Sequence, residues 1–88
     1  MKFLILLPKS NENKESNKIN KDRLLFIVYQ ILQQYENTKL MINELYTSTK
    51  DYNNLELLKQ IEKLAKFADT FRIEWIDFNT YFVINIYY

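Results

Sequence analysis

The last eighteen residues constrain the fold more than any other part of the chain. They hold two runs rich in β-branched and aromatic residues, 71–78 and 81–88, separated only by Asn79 and Thr80. That is the pattern of a β-hairpin. A two-residue loop sets Phe78 opposite Tyr81, and a four-residue loop sets Ile76 there. The registers differ by two residues, so the same side chains share a face in both. One face then carries Phe71, Ile73, Trp75 and Asp77 with Phe82, Ile84, Ile86 and Tyr88, a nearly continuous apolar surface that must pack under the helices. The other carries Arg72, Glu74, Ile76 and Phe78 with Tyr81, Val83, Asn85 and Tyr87, polar near the strand ends and apolar near the turn.

The rest of the chain supplies the cover. Residues 3–7 are uniformly apolar and closed by Pro8, as expected of a strand covered on both faces or lying at the centre of a small sheet. This run is shorter than the apolar region of a signal peptide, and no small-residue cleavage site follows it. No apolar run approaches the roughly 18 to 20 residues needed to cross a bilayer, so no membrane partner is expected. Residues 9–21 are polar apart from Ile19 and read as a long loop.

From Asp22 onward the period becomes helical: Leu24, Ile27, Val28, Ile31, Leu32 and Tyr35 share one face, with Asn20 as N-cap. The spacing continues through Ile42, Leu45 and Thr49 with no Gly or Pro to interrupt it. Helix to about Thr47, with a break near Asn37, is favoured over a strand at 40–46. Asn53 or Asn54 caps a further helix whose buried stripe is Leu58, Ile61, Ala65 and Ala68, flanked by Leu57 and Leu64, with Glu62 and Lys66 paired on its outer side. The expected fold is α+β, or small α/β. It is a three-stranded sheet made of the N-terminal strand and the C-terminal hairpin, with two or three helices packed on one face. Eighty-eight residues leave room for a single domain, 1–88, with the polar loop at about 9–21.

Composition narrows the function by exclusion. The chain has no His and no Cys, which removes the commonest catalytic residues and any thiolate metal site. It has no Gly, which removes phosphate-cradling loops, nucleophile elbows and dinucleotide fingerprints, each of which needs Gly geometry. The one carboxylate pair worth testing, Glu74 and Asp77, is three apart on a strand and projects to opposite faces. Asp77 is expected near the turn, satisfying backbone donors. The expectation is a non-enzyme with no cofactor, no metal and no small-molecule substrate. Without Cys nothing points to an oxidising compartment, so the cytoplasm is expected, that of the host if a virus or plasmid carries the gene. Lys, Asn, Ile, Tyr and Phe total 43 residues against five of Gly, Ala, Arg and Pro, a bias that points to an AT-rich gene.

Two surface features are candidates for binding. The first is the apolar cluster Ile76, Phe78, Tyr81 and Val83, with Tyr87, on the hairpin face away from the helices. Such a patch marks a protein interface unless the chain's own helix or loop covers it. The second is Lys9, Lys14, Lys18, Lys21 and Arg23, a string of candidate phosphate contacts. Its charge is diluted by Glu12, Glu15 and Asp22, and no aromatic residue is interleaved to stack on bases. Across the whole chain twelve Lys and Arg oppose eleven Asp and Glu, a net charge of +1, which favours neither partner. The favoured reading is a small non-catalytic protein-interaction module that binds itself or a larger host complex through the outer hairpin face. By class analogy alone it could be an inhibitor carried by a mobile element, as anti-CRISPR proteins are. The alternative is a nucleic-acid-binding or regulatory module using residues 9–23.

Overall fold

The computed structural model describes residues 1–11, 14–48 and 51–88. Glu12, which dilutes the loop charge, and Thr49 of the helical spacing lie outside the described residues. The elements run β1 (Lys2–Pro8), α1 (Glu15–Leu32), α2 (Glu36–Ser48), α3 (Asn54–Ala68), β2 (Arg72–Phe78) and β3 (Tyr81–Tyr87). The fold is α+β, with one open three-stranded antiparallel sheet in the order β1-β3-β2.

The hairpin closes with Phe78 opposite Tyr81, so its loop is the two residues Asn79 and Thr80. Asn79 adopts φ 27° and Asp69, the C-cap of α3, adopts φ 53°. Both lie in the left-handed region where Gly is usual and Asn or Asp the next best choice. A chain without Gly therefore makes its tightest turns with residues whose short polar side chains tolerate them.

β3 forms the centre of the sheet, and β1 pairs with it antiparallel, Phe3 against Ile86 and Leu7 against Phe82. The apolar run of β1 therefore belongs to an edge strand, covered on one face only: Ile5 and Leu7 are buried while Leu4 and Leu6 are exposed. Continuous apolarity reads as two-sided burial only when nothing shows which strand lies outermost.

The core lies between the inner sheet face and the helices. Ile5, Leu7, Phe82, Ile84 and Ile86 meet Leu24, Val28 and Leu32 of α1 and Leu57, Leu58 and Ile61 of α3 in one buried cluster. α1 packs on β1, α3 packs on β2, and α2 packs against both helices. Phe3, Ile73 and Trp75 close the rim of this cluster. Trp75 stacks edge-on against Phe82, with ring centroids 5.5 Å apart, and donates its indole N–H to Glu62 Oε2 at 3.2 Å. Glu62 thus serves the sheet, where a pairing with Lys66 was expected.

The helix boundaries depart from expectation at one end. α1 begins at Glu15, with Lys14 as an N-cap that makes no side-chain capping bond, so Asn20 is inside the helix and the loop is shorter than 9–21. Residues 15–23 contain no buried side chain. The first two turns of α1 extend beyond the core and carry no apolar stripe by which periodicity could find them. Their anchors are polar: Asn17 Nδ2 donates to the Ser10 carbonyl at 3.3 Å, and Lys21 Nζ donates to the Tyr52 carbonyl at 3.1 Å. The break between α1 and α2 falls at Gln33 to Tyr35, just before Asn37. It is held by Thr38 Oγ1, which is buried and donates to the carbonyls of Leu32 at 3.0 Å and Tyr35 at 2.7 Å. Asn53 caps α3, accepting from the Glu56 N–H at 2.7 Å.

Candidate functional site: the outer sheet face

Because side chains alternate along a strand, the face turned away from the helices is set by the observed register. It reads as four rows across β1, β3 and β2: Lys2, Tyr87, Arg72; then Leu4, Asn85, Glu74; then Leu6, Val83, Ile76; then Pro8, Tyr81, Phe78. The two rows nearest the hairpin loop hold no charged residue. Phe78 and Tyr81 pack ring to ring with centroids 5.2 Å apart. Leu4, Leu6, Ile76 and Phe78 are 54%, 48%, 47% and 51% exposed, and Tyr81 and Val83, in the central strand, are half-buried. The expected cluster of Ile76, Phe78, Tyr81 and Val83 is therefore assembled, and it is extended by Leu4 and Leu6.

Tyr87 stands apart from this cluster. It lies in the row at the opposite end, between Arg72, whose guanidinium is 4.6 Å from its ring centroid, and Lys2, whose ammonium is 5.4 Å away. These cation–π contacts make that end of the face basic and the hairpin end apolar. An open depression beside Tyr87 is bounded by Met1, Lys2, Asp69 and Arg72.

Glu74 is on this outer face. Asp77 is in register with Phe82 on the inner side, near the hairpin loop where the helical cover ends, and it is exposed. Its carboxylate forms an ion pair with Lys9, where backbone donors were expected. The backbone N–H of Lys9 meets the Thr80 carbonyl at 2.9 Å, so Lys9 continues the β1–β3 ladder.

The basic string is only partly a surface. Lys9 is committed to Asp77, and Lys21 is tied to the Tyr52 carbonyl. Burial pushes the Lys21 ammonium below the ordinary lysine range, an effect that the adjacent Asp22 carboxylate partly offsets. Lys14 is the N-cap of α1, Lys18 falls on its first turn, and Arg23 is exposed further along the helix. Lys9 thus ties the end of β1 to the hairpin end of β2, and Lys21 ties α1 to the segment before α3.

Leu4 and Leu6 are the part of the face that sequence reasoning did not find. Their signal is the absence of polar residues at alternate positions of β1, a pattern that also fits a strand covered on both faces. No helix among the described residues is long and apolar enough to cross a membrane. No family model matches the chain, nor does any curated protein or solved structure.

Proposed function

We propose that this protein is a non-catalytic interaction module that engages a protein partner through the hairpin end of its outer sheet face. The observation that supports the reading is the pair of charge-free rows, in which Leu6, Ile76 and Phe78 are about half exposed beside Tyr81 and Val83. Such a group, with Leu4 adjoining it, presents a patch of about a few hundred Å², the size at which exposed apolar surface begins to mark interaction sites. Its composition, aromatic and aliphatic at the centre with charges only toward one end, matches the core-and-rim arrangement of protein interfaces. Of the other exposed apolar residues, Ile19, Phe26, Leu40, Leu55 and Phe67 lie on three different helices. The narrower reading, an inhibitor of a host complex carried on a mobile element, rests on codon bias and class analogy. The nucleic-acid reading is weakened by the internal engagement of Lys9 and Lys21.

The test compares two baits in an extract of the organism that carries the gene. Wild-type protein should retain a partner that Phe78→Asp with Val83→Lys fails to retain, at equal helix and strand content by circular dichroism. Retention should change little between low and moderate salt, because an apolar interface releases few counterions. Equal capture by both baits, or capture lost steeply with salt, would overturn the proposal.

A further inference from the structure

Hydrogen-bond parity determines which backbone groups of β1 face away from the sheet. In an antiparallel pair, residues that exchange both bonds with their partner alternate with residues whose N–H and C=O point outward. Met1 and Tyr88 exchange both bonds, at 2.5 and 2.8 Å. Lys9 reaches the Thr80 carbonyl at 2.9 Å. By this alternation Met1, Phe3, Ile5, Leu7 and Lys9 bond to β3, and Lys2, Leu4, Leu6 and Pro8 turn their backbone groups toward the open edge.

That edge is closed at its ends and open in its middle. Pro8 has no N–H, and its carbonyl accepts from the side-chain amide of Asn54, which is itself buried at 3% exposure. Lys2 places a charge at the other end, a common guard on strand edges. Between them, the backbone groups of Leu4 and Leu6 have no partner among the described residues. No charged side chain occurs from Phe3 to Pro8. The opposite edge of the sheet, β2, carries Arg72, Glu74 and Asp77 along its length.

We propose that the open edge of β1 is a self-association site, at which a second copy of this chain adds its own β1 antiparallel across a two-fold axis through Ile5. The strand is complementary to itself in that register. Leu4 of each copy meets Leu6 of the other, and each such pair exchanges two bonds, so every outward N–H and C=O of both leucines is satisfied. Lys2 falls opposite Pro8 and far from the other copy's Lys2, so these two charges do not meet. Joining two edges of this length buries on the order of several hundred Å², short of the ~1,000 Å² typical of durable interfaces. The pairing is therefore weak and concentration-dependent. It joins the two sheets into one of six strands and leaves the outer faces side by side and uncovered, so it is independent of the reading of that face.

Amide hydrogen exchange on the wild-type protein tests this without any substitution. In dilute solution the Leu4 and Leu6 amides should exchange freely while Phe3, Ile5 and Leu7 are protected. At millimolar concentration Leu4 and Leu6 should slow by about tenfold, in step with dimer formation measured by sedimentation. Leu6→Pro removes one outward donor from each copy, two across the dimer, at an edge position that tolerates proline, and it should weaken the dimer by at least about tenfold. Phe78→Asp with Val83→Lys should leave the dimer unchanged, which separates this site from the outer-face patch. A strict monomer at millimolar concentration overturns the proposal, as does protection of Leu4 and Leu6 at every dilution, or a dimer lost with the face variant but kept with Leu6→Pro.

Discussion

Along β3, Phe82, Ile84 and Ile86 are 5%, 0% and 0% exposed, whereas of their outer-face neighbours Tyr81, Val83 and Tyr87 are only half-buried and Asn85 alone is buried. On β1 the contrast widens: Ile5 and Leu7 are fully buried, and Leu4 and Leu6 are half exposed. At the hairpin end the outer face is no less apolar than the inner one, which carries Asp77 there, yet it is the less covered of the two. α1 and α3 shelter the inner face and α2 packs against them, which leaves no helix among the described residues for the other side. Hydrophobicity alone therefore does not tell a core residue from a docking residue in a sheet of this kind. The difference lies in which layers the chain can supply.

Substitutions on the two faces sharpen that contrast. Ile84→Ala on the inner face should cost about 2 to 5 kcal/mol in denaturant unfolding, because it opens a cavity where α1 and α3 meet the sheet. Trp75→Phe, also on the inner face but at the rim, should cost about 1 kcal/mol through loss of the indole bond to Glu62. Ile76→Thr on the outer face should change stability by less than about 0.5 kcal/mol, since the residue is already half in water and Thr keeps its β-propensity. A loss at Ile76 as large as that at Ile84 would break the comparison and make the outer face a second core.

The hairpin, its face assignment and the stripe of α3 were legible in the sequence because their signals are local. A two-residue period, a two-residue gap and an Asn before a helical stripe each act within a few residues. What was not legible depends on relations between distant segments. β1 could not be recognised as an edge strand from its own residues, because its position follows from pairing with β3 near the other end of the chain. For that reason residues 3–7 read as a strand covered on both faces or central, and Leu4 and Leu6 do not stand out as surface. The start of α1 was hidden for the opposite reason: it makes almost no contact with the core and so carries no periodic pattern. Lys9 and Lys21 looked like surface charge until the fold brought Asp77 and the Tyr52 carbonyl to them.

Hydroxyl-radical footprinting of the wild-type chain, free and bound to the partner it retains, tests the role of the outer face most directly. Phe78, Tyr81, Leu4 and Leu6 should be oxidised readily in the free protein and shielded in the complex, while Phe26, Leu40 and Phe67 on the helices should react equally in both. Shielding confined to the helical residues, with Phe78 and Tyr81 unchanged, would contradict the account.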